Sequence, residues 1–128
     1  MSLHGWTIAA SLAGLPFILP HVVEDFAEGI AQRVGLSTSA GAFLLGGYLG
    51  VQALGLVLLG QGRRAGWMLA FSTSAIWTVG AVADHGPAVL AGGFRGGAVS
   101  TLWVLGLVAT QATAAALAWR GWRRGSAA

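Results

Sequence analysis

The stretch Ala40-Gly41-Ala42-Phe43-Leu44-Leu45-Gly46-Gly47-Tyr48-Leu49-Gly50-Val51-Gln52-Ala53-Leu54-Gly55-Leu56-Val57-Leu58-Leu59 is twenty residues without a formal charge. At ~1.5 Å per residue, a helix of this length covers the ~30 Å hydrocarbon core of a bilayer. Before it stand Gly35 and Ser37-Thr38-Ser39, a helix stop followed by a helix cap. After it comes Gly60-Gln61-Gly62-Arg63-Arg64, a loop so short that the chain must turn straight back. Gly46-x-x-x-Gly50, with Gly41, Gly47 and Gly55, gives this span a small-residue surface on which another helix can approach closely.

Three further apolar blocks flank it. Ala65 to Ala83 follows the short loop and runs into Asp84-His85-Gly86-Pro87, where Gly and Pro are expected to stop the helix. A Gly-rich loop with Phe94 and Arg95 leads to the last block, Ala98 to Trp119, which finishes in Arg120-Gly121-Trp122-Arg123-Arg124. Upstream, Leu3 to about Phe26 carries Pro16 and Pro20, four apart and each lacking an N–H, which predict a kink or break. From His21 to about Val34 the chain either continues upward or bends into a short interfacial helix. The expected fold is therefore a single all-α domain, 1–128: a four-helix antiparallel transmembrane bundle with spans at about 3–26, 40–59, 65–83 and 98–119, the first kinked or broken at Pro16/Pro20.

Composition leads to the same class. Hydrophobic residues make up 55% of the 128 and charged residues 9%, against roughly a quarter charged in ordinary soluble domains; a charged shell cannot be built from so few. The absence of cysteine excludes disulfides, thiolate metal sites and cysteine nucleophiles. The net charge of +3 comes from seven arginines and no lysine. These arginines lie between and after the apolar blocks, as topology signals and headgroup contacts do, so lipid rather than nucleic acid is the expected partner. Arg63, Arg64, Arg120, Arg123 and Arg124 share one side in an up-and-down topology, the cytoplasm by the positive-inside rule, which puts both termini there too. Trp6, Trp67, Trp119 and Trp122 fall near that interface as an aromatic belt. With no basic residue before the first apolar block, a cleaved signal peptide is not expected.

The same topology sends the ends of the first and third spans to the opposite side. All four acidic residues and two of the three histidines go with them, with Arg33 and Arg95 as countercharge. On a helix His21, Glu24, Asp25 and Glu28 share one face, and Asp84-His85 is their counterpart. Three readings fit. His21, Glu24, Asp25, Asp84 and His85 supply the imidazoles and carboxylates of a divalent metal site for Zn, Mn or Fe. Alternatively, the same five do acid–base chemistry on an apolar substrate in the bundle, with Trp77 and Trp103 lining the pocket. The third is that they merely end two spans in water. Gln52 and Gln111, near the middles of spans two and four, are candidate ligand contacts, with hydrogen bonding between helices as their other role. Ser72, Thr73, Ser74 and Thr78 can satisfy their own backbone carbonyls.

His21-Val22-Val23-Glu24-Asp25 resembles the His-x-x-Glu-Glu signature of the HXXEE-type small bacterial membrane proteins, with Asp25 where the second Glu stands. The resemblance covers these five residues and the four-span outline. It implies that His21, Glu24 and Asp25 act together and that the location is a bacterial inner (cell) membrane, and it brings no activity with it. The mix of histidine, carboxylates and tryptophan in a compact bundle also resembles the sterol-isomerase type of small membrane enzyme. The expected function is metal binding or acid–base chemistry on a small or lipid-like apolar molecule. The alternative is a non-catalytic accessory subunit, packing through its Gly-rich faces in a homo-oligomer or a larger membrane complex.

Overall fold

The computed structural model describes residues 1–92 and 97–125; the loop around Phe94 and Arg95 lies outside the described residues. The described chain is helical: α1 (Leu3–Ala13), α2 (Leu15–Ala27), α3 (Ile30–Arg33), α4 (Thr38–Gly60), α5 (Arg64–Leu90) and α6 (Gly97–Gly125). α1 and α2 follow directly on one another, so four segments are long and apolar enough to cross a membrane: Leu3–Ala27, Thr38–Gly60, Arg64–Leu90 and Gly97–Arg124.

Local chemistry sets the ends of these elements. Ser2 Oγ accepts from the Gly5 N–H at 3.2 Å and Ser37 Oγ from the Ala40 N–H at 3.1 Å, capping α1 and α4. Gly29 (φ 80°) and Gly35 (φ 77°) bracket the single turn of α3 in left-handed conformations that a side chain would strain. The interruption in the first span falls at Gly14. Pro16 sits in the first turn of α2, where its missing N–H costs least, and Pro20 lies inside α2.

The third span departs from expectation. Asp84-His85-Gly86-Pro87 does not stop the helix, and α5 runs on to Leu90. Proline is compatible with helical φ, and here it removes one donor, the one that would have reached the Ala83 carbonyl, while the ladder resumes with Ala91 N–H on the Pro87 carbonyl at 3.0 Å. Asp84 and His85 are thus held on a helix rather than on a loop. α6 likewise continues beyond Trp119 to Gly125, so Arg120, Arg123 and Arg124 stand on its last turns.

Burial is inverted relative to a protein in water. Thr7, Ser11, Gln52, Thr73, Ser74 and Gln111 are buried, whereas Phe43 is 81% exposed, Val79 66% and Leu102 59%. An apolar outside of that extent is matched to lipid. Inside, small residues bring the helices together. Ala70, Ala114 and Ala118 are fully or almost fully buried, and a Cβ placed on Gly66 would overlap the backbone of Leu59. Extensive packing joins α5 with α6, α4 with α5, and both α1 and α2 with α6; α2 has no comparable contact with α4. Gly55 meets Leu69 and Ala70, but a Cβ on Gly46, Gly47 or Gly50 would meet nothing within 4 Å. Among the described residues nothing packs closely on the Gly46/Gly50 surface.

Candidate metal centre

His21 and Asp25, one turn apart on α2, place an imidazole beneath a carboxylate, with His21 Nε2 3.3 Å from Asp25 Oδ2. α5 brings His85 to the same point. Its Nε2 is 3.2 Å from His21 Nε2, 3.9 Å from Asp25 Oδ1 and 3.4 Å from Asp84 Oδ2. The two rings meet edge to face with centroids 4.7 Å apart. Donor atoms of His21, Asp25 and His85 all lie within 4.8 Å of one another. His21 is 4% exposed, and the side chains of His85 and Asp25 are 16% and 18% exposed, so the trio is largely withdrawn from solvent.

The geometry poses a problem of charge. Both imidazole Nε2 atoms and a carboxylate oxygen converge, and each carries a lone pair unless a proton stands there. One shared proton, or a cation bound by all three, removes the conflict. Donors around a tetrahedral zinc ion, with bonds of ~2.0–2.1 Å, stand ~3.3 Å apart; the separations of 3.2 Å and 3.3 Å are close to that edge, and the third, His85 Nε2 to Asp25 Oδ1, is longer at 3.9 Å. Two imidazoles and one carboxylate with positions left open are the donor set of catalytic zinc and of non-haem iron sites. His21 Nδ1, buried on the far side of the ring, has no hydrogen-bond partner among the described residues.

The trio forms one wall of a cavity of about 500 Å³ between α2, α4 and α5, capped by Ile30 of α3. This is within the ~300–1,000 Å³ of small-molecule pockets. Asp84 and His85 line its polar end, while Leu44, Leu45, Ile76 and Ala81 make the rest apolar. Its floor is braced. Trp77 Nε1 donates to Gln52 Oε1 at 2.9 Å, and Gln52 Nε2 donates to Ser11 Oγ at 3.0 Å. The Tyr48 ring packs edge-on to Trp77 at 5.3 Å, and its hydroxyl donates to the Thr73 carbonyl.

Of the residues expected at the site, His21, Asp25, Asp84, His85 and Trp77 meet at this cavity. Glu24 does not join them: it lies one position, ~100° of helical rotation, from Asp25, and its Oε1 accepts from the Ser100 hydroxyl of α6. Gln52 is spent on its bonds to Trp77 and Ser11 beneath the cavity. Gln111 donates to the Ser11 carbonyl at 3.2 Å, and its Oε1 has no partner among the described residues. Neither Gln111 nor Trp103 lines the cavity. Tyr48 and Gly80, which do, carry no expectation from sequence. Tyr48 had a readable signal, since it is the sole tyrosine and stands one turn before Gln52 on the same helix face.

Comparison of the chain with known protein families, with curated proteins and with solved structures finds no match.

Proposed function

We propose that this chain is a cell-membrane protein that binds a divalent transition metal through His21 Nε2, His85 Nε2 and the Asp25 carboxylate. At an open coordination position the metal would meet an oxygen of a small or lipid-like molecule held in the cavity. The single observation that carries the reading is the convergence of three ligand atoms, from two different spans, within 4.8 Å on the wall of a cavity of about 500 Å³. A metal in such a site polarises a bound oxygen or activates water. Asp84, its carboxylate 3.4 Å from His85 Nε2 and its side chain 39% exposed, is placed to take or return a proton at the rim.

The four spans run antiparallel in this reading. Supporting it, Leu59 abuts Gly66, Gly55 meets Leu69 and Gln52 reaches Trp77, so the α5 numbers rise as the α4 numbers fall. Gln111 on Ser11 and Ser100 on Glu24 do the same for α6 and the first span. The first span kinks around Pro16 to Pro20, a reading supported by the helix interruption at Gly14 and the missing donor of Pro20. Arg63, Arg64, Arg120, Arg123 and Arg124 then face the cytoplasm with both termini, and the metal centre lies toward the outer face. Within the His21-x-x-Glu24-Asp25 pattern the working pair is His21 with Asp25, and Glu24 ties the span to α6.

Elemental analysis of protein purified in mild detergent and dialysed against zinc, manganese or iron tests the metal. About one ion per chain, lost in His21→Ala and in His85→Ala, is the expected result. Retention of that ion in both variants, or no bound ion in the wild type, overturns the metal and leaves the trio as a proton-sharing group.

A second, non-catalytic reading is favoured by the open Gly46, Gly47 and Gly50 face, to which a helix of another copy or of a larger complex can pack. Under it Gly46→Ile dissociates the assembly in mild detergent while leaving bound metal unchanged.

A further inference from the structure

The cavity has a direction. Its polar end is the His21, Asp25, Asp84 and His85 group, and its other end is the aromatic floor of Tyr48 and Trp77. Trp77 precedes His85 by eight residues of continuous helix, so the floor lies ~12 Å below the donors. An amphiphile occupying it would have its head at the donors and its chain pointing into the membrane, as lipids of that leaflet do.

The cavity also has a side opening. α2 packs on α6 and makes no comparable contact with α4. In the seam between α2 and α4 runs a second, apolar groove of about 320 Å³, lined by Val22, Val23, Phe26, Gly46 and Leu49. Leu45 lines both spaces. On the groove side Val23 is 70% exposed, toward the surface that faces lipid. Half-buried Leu45 thus stands between the metal wall and this groove, while Leu44 (57% exposed) and Ile76 (58%) also line the cavity.

Charge narrows the head. Among the described residues no arginine or lysine lines the cavity, whereas Asp25 and Asp84 do. A phosphate dianion would meet both carboxylates, with Arg33 acting on Asp25 from outside the cavity lining; among anionic heads that can ligate a metal, a singly charged carboxylate meets less repulsion. The geometry points to a single-chain carboxylate amphiphile, of the fatty-acid class, that enters past Leu45 from the membrane and binds with its carboxylate at the metal. This assignment rests on the metal reading given above. The ~12 Å floor is shallower than a long acyl chain, so the remainder of such a chain lies back through the seam into the groove.

The test uses the full chain in zinc-loaded lipid nanodiscs with a diazirine-bearing palmitic acid as probe. Labelling is expected at Leu45 and Trp77. It should fall about tenfold in both Leu45→Trp and Gly80→Leu, substitutions that fill the opening and the cavity without touching a donor atom, at unchanged zinc per chain. Unlabelled palmitate should compete, and hexadecyl phosphate about tenfold less well. Labelling at Trp77 unchanged by both substitutions, or labelling spread equally over the outward Val79 and Leu102, overturns the proposal, as does preferential competition by hexadecyl phosphate. The two readings fail separately. Zinc held without cavity labelling overturns the amphiphile alone, and cavity labelling in a chain that holds no zinc overturns the carboxylate–metal contact.

Discussion

His21 Nε2 and His85 Nε2 face one another at 3.2 Å although 64 residues separate them in the chain. Two nitrogens at that distance must share something, a proton or a cation, and the Asp25 carboxylate 3.3 Å from the first adds the compensating negative charge.

Protons and metal compete for these nitrogens. A ligating imidazole must be deprotonated, so zinc affinity is expected to fall as the pH is lowered. The loss approaches about tenfold per pH unit, because two Nε2 atoms 3.2 Å apart hold one proton between them when no metal is bound. Calorimetric titration in buffers of different ionisation enthalpy reads the protons released; a pH-independent affinity would exclude both histidines as ligands.

Glu24 and Asp25 should separate cleanly. Asp25→Asn removes an anionic donor from the trio and is expected to weaken zinc binding by about tenfold or more, whereas Glu24→Gln leaves it unchanged. The latter substitution alters the bond with Ser100, worth about 0.6 kcal/mol and up to about 1.7 kcal/mol between membrane helices, and removes a charge that touches no donor atom of the trio. Equal effects of the two on zinc affinity would contradict the division of roles.

Helix packing predicts opposite outcomes for two glycines. Gly66→Ala places a methyl group into the Leu59 backbone and should cost about 1–3 kcal/mol. Gly46→Ala meets open space and should cost nothing within the chain. Thermal unfolding in detergent, followed by Trp fluorescence, compares them.

The cavity floor is a coupled unit. Gln52→Leu strands the Trp77 indole N–H, and Trp77→Phe strands the Gln52 carbonyl. The double variant should recover about 0.6–1.7 kcal/mol relative to the sum of the singles. Full additivity would mean that the bond contributes nothing.

Much of the scaffold is legible in the residues themselves. Ala40 to Leu59 announces a span because no charge interrupts twenty residues, and Ser37 announces its cap. The meeting of His21 with His85 follows from counting spans. Pro87 misleads because a local signal for ending a helix has a modest cost, one lost donor, that a long helix in lipid can bear. Glu24 and Asp25 cannot be ranked by spacing, since both fall within a turn of His21 and a rotation of ~100° decides between them. The cavity is illegible for another reason: it arises where α2 leans on α6 and away from α4, a matter of which neighbour wins the packing, to which Gly106 under the Phe17 ring contributes.

Ser11 uses its hydroxyl to receive Gln52 and its carbonyl to receive Gln111. One small residue on the first span thereby sets the vertical register of two others. In a chain threaded into the bilayer from its amino terminus, the first span waits through the arrival of the second for half of this lock and of the fourth for the rest. Sliding either partner by one helical turn, ~5.4 Å, would leave an amide unsatisfied in hydrocarbon. The centre of the bundle thus proofreads its own assembly.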